Sequence, residues 1–275
     1  MSAFSRAGHL LSGAAALALM LGLAPESRAA EPVDIELVLA VDVSLSMSPA
    51  ELEIQRRGYV AALTHDTVLQ AIADGAYGKI AVTYVEWAGT TWQHVIVPWT
   101  VIANRADAER VVEQLAAHAP NSARRTSISG ALQFGSDLFA ESGFQGVKRV
   151  IDISGDGPNN TGMPVTTTRD AAVAKGIVIN GLPILISPSP SFSHLDQYYA
   201  ECVTGGPGAF VLPVYAASEF VTAIRRKLIL EVSGVAGPWA DRGPIRVDAA
   251  SPVDCLQGER DRRFFSDPYF PELNR

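Results

Sequence analysis

Ile35-Glu36-Leu37-Val38-Leu39-Ala40-Val41, followed directly by Asp42-Val43-Ser44-Leu45-Ser46, is the stretch whose reading decides the fold. The first seven residues read as a buried strand. The next five place a carboxylate and two hydroxyls two residues apart, so an extended chain turns positions 42, 44 and 46 to one side. Short oxygen donors gathered at the C-terminal end of a strand suit a small hard cation such as Mg²⁺. Ser48-Pro49-Ala50-Glu51 then starts a helix: an N-cap Ser, Pro at the first helical position and Glu three residues after the cap form a capping box. The order is strand, oxygen-rich loop, helix. In an open α/β sheet ligands sit outside the carboxyl ends of the strands, which is where this loop falls.

Working outward, the first helix is expected over Pro49 to Ala73. Lys79 to Ala88 and His94 to Val101 are rich in β-formers around the turn Gly89-Thr90-Thr91, which gives an antiparallel hairpin. Asn104 caps a helix over Arg105 to Ala117, and a second amphipathic stretch runs from Ser127 to Ser142. Val147 to Ser154 reads as a buried strand ending in Gly155-Asp156-Gly157-Pro158-Asn159-Asn160, a loop of turn formers. A helix over Thr166 to Lys175 stops at Gly176, and Ile177 to Ile186 is apolar throughout, as a parallel strand covered on both faces would be. A short helix over His194 to Val203, a strand over Ala209 to Val214 and an amphipathic helix over Ser218 to Val232, ending at Gly234, complete the pattern. Strands alternating with helices predict an α/β fold: a doubly wound, mainly parallel central sheet with one antiparallel edge strand and helices on both faces.

The chain opens with Arg6 and His9, an apolar run from Leu10 to Leu23 and the small-residue exit Ser27-Arg28-Ala29. That is the pattern of a secretory signal peptide over residues 1–29, cleaved near Ala29, and the apolar run is shorter than the ~20 residues of a spanning helix. A periplasmic or secreted protein with no stable membrane insertion after cleavage is expected. Loss of Arg6, Arg28 and Glu26 moves the net charge from −7 to −8. An acidic mature chain disfavours nucleic acid and anionic lipid as partners. The two cysteines, Cys202 and Cys255, would meet an oxidising compartment, and a disulfide between them would tie the C-terminal tail to the domain. Pro, Gly and charges increase beyond Val235, so residues 30–234 read as one domain and 235–275 as an appended tail.

Three separated pieces share one chemistry: Asp42, Ser44 and Ser46 after the first strand, Thr126 before the helix at Ser127, and Asp156 after the central strand. Their order and setting resemble the metal-ion-dependent adhesion site of von Willebrand factor A domains, in which Asp-x-Ser-x-Ser, a Thr and an Asp stand on three successive loops. DVSLS, the Thr of TSISGAL and the Asp of SGDGPNN supply all five, within a similarity covering about residues 33 to 233. The chain looks closest to a family of secreted bacterial proteins of this fold whose function is not established. It departs from the usual pattern in carrying Gly155-Asp156 where Thr-Asp is common.

The resemblance implies that Ser44, Ser46 and Thr126 give hydroxyl oxygens to a metal, with Asp42 and Asp156 acting directly or through water. Mg²⁺ is the first expectation, with Mn²⁺ or Ca²⁺ as alternatives. Two carboxylates and three neutral hydroxyls leave a position open, which an Asp or Glu of a partner protein would fill. Each piece also has a plain reading. Asp-x-Ser-x-Ser serves as a turn with an N-cap, Asp156 suits a type I turn, and Thr126 could cap the helix at Ser127. Finding all three at strand ends of one pattern favours the metal site. A non-enzymatic protein-binding domain is therefore expected. A metal-dependent phosphate-ester hydrolase and a structural envelope protein without metal are the rivals. No nucleophile elbow, dinucleotide fingerprint or P-loop is present, and His65, His94, His118 and His194 read as surface or helix-end residues.

Overall fold

A computed structural model describes residues 30–187, 192, 194–233 and 253–265. The leader expected at 1–29 and most of the expected tail lie outside the described residues. The elements run in the order β1 (Glu31–Asp42), α1 (Pro49–Leu63), α2 (Asp66–Ala73), β2 (Ile80–Trp87), β3 (Gln93–Ile102), α3 (Arg105–Ala116), α4 (Ile128–Leu138), β4 (Phe144–Gly155), α5 (Val165–Ala174), β5 (Ile177–Pro183), α6 (Leu195–Tyr198), α7 (Phe220–Ser233) and α8 (Gln257–Phe265).

The five strands lie in the order β3-β2-β1-β4-β5. β1 pairs in parallel with both β2 and β4, β4 pairs in parallel with β5, and the β2–β3 hairpin makes β3 the antiparallel edge. This is the doubly wound architecture the sequence predicts. The two-residue repeat of β1 divides the core. Ile35, Leu37, Leu39 and Val41 face α1, α2 and α7, while Val38 and Ala40 face α4, α5 and the segment around Tyr198 and Tyr199. Chain order reverses at β1, whose neighbours β2 and β4 lie on opposite sides of it. The crevice at the carboxyl ends of β1 and β4 is thus a topological switch point.

The structure corrects several boundaries. The single helix expected over Pro49 to Ala73 is two, because the first ends at Thr64 and His65 caps the second, its Nδ1 accepting from Thr67 N at 3.2 Å. The stretch from Ser127 to Ser142 is α4 followed by a 3₁₀ turn over Phe139–Glu141. The helix expected at His194 to Val203 is one α-turn continued by a π-helical turn over Tyr199–Val203, and α7 starts at Phe220 after a 3₁₀ turn. Ala209 to Val214 forms no continuous strand. It lies beside β5 with parallel bridges only at Val211 and Val214, since Pro183 and Pro213 have no N–H to carry a ladder further.

The predicted caps are present. Ser48 Oγ accepts from Glu51 N at 3.2 Å while Glu51 Oε2 accepts from Ser48 N at 2.9 Å, and Asn104 Oδ1 accepts from Asp107 N; a cap of this kind contributes about 1 kcal/mol. Cys202 and Cys255 are bonded, their Cα atoms 5.5 Å apart. Among the described residues no helix is long and apolar enough to cross a membrane.

Candidate functional site

β1 ends on Asp42, which is fully buried. Its Oδ1 accepts from Ser44 N at 2.7 Å, so the carboxylate itself turns the chain out of the strand. Gln55 of α1 donates to Asp42 O at 3.3 Å. Asp42 Oδ2 is buried with no hydrogen-bond partner. Ser44 Oγ lies 2.8 Å from Ser46 Oγ, and Ser46 Oγ donates to Asp156 Oδ1 at 2.7 Å. Ser44, Ser46 and Asp156 therefore form one chain of oxygens across the ends of β1 and β4, which Asp42 joins through Ser44 N.

Thr126 lies on a second loop. That loop is stitched to the first by Leu45 N donating to Ala123 O at 2.9 Å and Ala123 N to Val43 O at 3.0 Å. Thr126 is buried, and its hydroxyl hydrogen-bonds none of the other four residues. Ser127, rather than Thr126, caps α4, its Oγ accepting from Gly130 N at 3.1 Å. Capping thus leaves the Thr126 side chain without an explanation.

The third loop holds the second in place. Asn160 Oδ1 accepts from Thr126 N at 3.0 Å and Asn160 N donates to Thr126 O at 2.9 Å. Asn159, fully buried, accepts from Ser129 N at 3.0 Å and donates through Nδ2 to Met163 O at 3.1 Å and Glu259 Oε1 at 2.7 Å. Sequence reasoning treated Asn159 and Asn160 as turn formers. The adjacent pair following Asp156 was the available signal, since an Asn side chain can fasten two loops at once. Behind the second loop, Arg56 meets Glu86 and donates to Leu115 O at 2.6 Å, while Glu86 Oε2 accepts from Asn121 Nδ2 at 2.6 Å. This buried pair fixes the end of α3 and the start of the loop carrying Thr126. It left no mark in the sequence.

Gly155 has a steric cause. A β-carbon there would lie 2.8 Å from Asp42 Oδ2 and 2.8 Å from the Tyr199 hydroxyl, which is buried and unpartnered like Asp42 Oδ2. The Thr common at this position in similar sites would crowd the Tyr199 hydroxyl and Asp42 Oδ2.

Burial, and then the charge of Asp156, push the Asp42 carboxyl well above its ordinary range despite the Ser44 hydrogen bonds. Burial likewise pushes Asp156 up to about 6, with the Ser46 hydroxyl opposing and Glu51 adding to the rise. A fully buried Asp42 carboxylate beside the half-buried Asp156, with no cationic side chain hydrogen-bonded to either among the described residues, is an arrangement that a cation would relieve. The donors are all oxygens, the set of a hard cation rather than of one that prefers nitrogen and sulfur. Adjacent oxygens around an octahedral Mg²⁺ at its usual bond length stand roughly 2.9 Å apart, and the Ser44–Ser46 and Ser46–Asp156 contacts are 2.8 and 2.7 Å. Among the described residues no group of three or more His, Cys, Asp or Glu could hold a metal. The hydroxyls are therefore indispensable to any such site. Among the described residues no histidine or lysine hydrogen-bonds these five residues.

Residues 32–236 match the family described as "Protein of unknown function (DUF1194)". No curated protein matches the chain. Among solved structures, the fold is similar to proximal thread matrix protein 1 from the mussel byssus, solved with a zinc-occupied MIDAS motif, at 17% identity and TM-score 0.54 over 74% of this chain and 48% of that one. It is similar to the von Willebrand factor domain of the type V pili tip protein Mfa5 from Porphyromonas gingivalis, at 10% identity and TM-score 0.54 over 74% and 96% of the two chains. BatB from Bacteroides thetaiotaomicron aligns at 19% identity and TM-score 0.51 over 73% of this chain and 100% of its own. The chain spans about half the length of the mussel protein. The architecture is that of a von Willebrand factor A domain.

Proposed function

The chain belongs to the family described as "Protein of unknown function (DUF1194)", and for it we propose an exported, non-catalytic protein-binding domain that engages a carboxylate of its partner through a divalent cation. Asp42, Ser44, Ser46, Thr126 and Asp156 would hold the ion, with Mg²⁺ as the first choice and Mn²⁺ or Ca²⁺ as substitutes. When bound, the ion supplies a Lewis-acidic position for one oxygen of the partner. This chain's residues do the rest. Asp42 anchors the first loop through Ser44 N, the three hydroxyls present neutral oxygens, and Asn160 keeps Thr126 at the second loop.

The observation that carries this reading is the Asp42 carboxylate, fully buried at a strand end with Oδ2 unpartnered, beside a continuous Ser44–Ser46–Asp156 oxygen chain. An unpaired buried carboxylate oxygen is costly unless something binds it. The protein-binding role draws support from the fold shared with a pilus tip domain and a byssus matrix protein. The test is a thermal melt of the mature, chelator-treated protein with and without Mg²⁺ or Mn²⁺. Ligand binding to the folded state raises stability by mass action, by about 2.7 kcal/mol at a hundredfold excess over the dissociation constant. The melting temperature should rise for the native sequence and stay put for Asp156→Ala. An equal rise in both would show that the ion binds elsewhere.

A further inference from the structure

Arg124 and Arg125 stand immediately before Thr126, both exposed, on the loop bridged to the first site loop at Ser44 and Ala123. Among the described residues they are the two arginines whose guanidinium has no partner, for every other arginine with a described side chain meets a carboxylate, a carbonyl, a ring or another polar group. Arg125 also holds φ at +78°, the only non-glycine residue described with a left-handed backbone. Such a conformation costs about 1 kcal/mol or more in a residue with a β-carbon. Two unpartnered cations beside the cluster are an anomaly on a chain of net charge −7.

Two large apolar side chains on the first and third loops are exposed. Leu45, between Ser44 and Ser46, is 58% exposed, and Met163, whose carbonyl accepts from Asn159 on the third loop, is 59% exposed. All three site loops thus carry an uncovered side chain able to make a contact.

We propose that this rim selects an acidic polypeptide segment: one carboxylate completes the metal shell, further Asp or Glu side chains meet Arg124 and Arg125, and a neighbouring apolar side chain covers Leu45 and Met163. The inference rests on the metal-dependent reading of the site. With a divalent cation held, the charges of Asp42 and Asp156 are balanced; Glu51 beside Asp156 is buried and Glu259 is engaged by Asn159, so the exposed, unengaged charges next to the cluster are the two guanidiniums and charge complementarity calls for an acidic partner. Leu45 and Met163 favour a peptide over a hydrated acidic polysaccharide, which has no aliphatic side chain to cover them.

The experiment is selection of a phage-displayed random peptide library on the Mg²⁺-loaded mature protein with its disulfide intact, eluting with EDTA. Eluted peptides should carry several Asp or Glu residues with Leu, Ile, Val or Met adjacent. The most enriched peptide should bind the Arg124→Gln/Arg125→Gln variant roughly threefold to twentyfold more weakly at low salt, a loss that shrinks as salt is raised. Both positions are exposed, and the variant's Mg²⁺ titration serves as its control for an intact site. EDTA-released peptides with a single carboxylate and no further acids, or equal binding by the variant, would overturn the acidic rim while leaving the metal site standing. Elution by polygalacturonate but not by polyglutamate would assign the surface to carbohydrate and also overturn it. Absence of EDTA-released peptides overturns it too. The Mg²⁺ titration then tells whether the metal reading fails with it.

Discussion

Tyr199 stands where a side chain on Gly155 would have to go: a β-carbon at Gly155 would lie 2.8 Å from the Tyr199 hydroxyl. Overpacking a filled site costs typically about 1–3 kcal/mol. Gly155→Ala should therefore destabilise the protein by an amount in that range. Tyr199→Phe, which removes the obstructing oxygen, should recover part of the loss. Urea unfolding of the two single variants and the double variant checks this; strict additivity would mean that the two residues do not contest the same space.

On the opposite face of the sheet, Lys227 is fully buried with Asp152 Oδ1 at 2.7 Å and Glu231 Oε1 at 2.6 Å. Lys227→Met would leave two buried carboxylates facing each other, and losing one partner of such a group costs about 3–5 kcal/mol. The chemical denaturation midpoint should fall accordingly. Replacing Lys227, Asp152 and Glu231 together by Met, Leu and Leu should cost far less than Lys227→Met alone, because no buried charge is then left unpaired.

The same carboxylates set a pH dependence. Burial, opposed by Lys227 and reinforced by Glu231, pushes Asp152 up to about 7 from an ordinary value of 3.8, and Asp156 is pushed up to about 6. A carboxyl with a raised pKa in the folded state binds its proton more tightly there than in the unfolded chain. Its contribution to stability is full below the ordinary value and is lost as pH rises through the folded value. The chelated protein should thus lose stability between about pH 4 and 7. Saturating Mg²⁺ should flatten the Asp42 and Asp156 share of that slope, since a bound cation favours the ionised acids, and leave the Asp152 share in place. Melting curves across this range with EDTA or Mg²⁺ provide the check.

The C-terminal segment around Gly258 is docked on the site's third loop. A β-carbon on Gly258 would lie 2.3 Å from Asn159 O, Glu259 accepts from Asn159 Nδ2, and Cys255 is bonded to Cys202 across 53 residues. By the loop-entropy estimate such a crosslink contributes about 4 kcal/mol. Cys255→Ser should lower stability by a few kcal/mol. Through loss of the Glu259 contact it should also weaken Mg²⁺ binding several-fold, whereas Glu259→Gln, which keeps the disulfide and an amide oxygen as acceptor in place of the carboxylate, should change either quantity little. Denaturant titration and calorimetry on the two variants separate these effects.

The fold was legible because its signals are local and redundant. Ile35 to Val41 alternates its two faces cleanly, Ser48 to Glu51 caps one helix and Asn104 another, and Gly89-Thr90-Thr91 turns the hairpin. The breaks were harder to read. His65 interrupts a helix by capping with a ring nitrogen, and Pro183 with Pro213 thins the pairing beside β5, both effects that depend on neighbours far along the chain. Of the candidate site, Asp42, Ser44, Ser46, Thr126 and Asp156 could be named because their order on three strand-end loops resembles the metal-ion-dependent adhesion site of von Willebrand factor A domains. The parts played by Tyr199, Glu86 and Arg56 could not, because each acts on a residue 30 or more positions away in the chain, and Asn159 and Asn160 show in the sequence only as an adjacent pair of turn formers.

The measurement that bears most directly on the central claim is calorimetric titration of Mg²⁺, Mn²⁺ and Ca²⁺ into the metal-stripped protein, with Asp42→Ala and Thr126→Ala alongside. A single saturable site, present in the native sequence and lost in both variants, is the predicted result. Binding of unchanged affinity and stoichiometry in the two variants would contradict a cation held by this cluster.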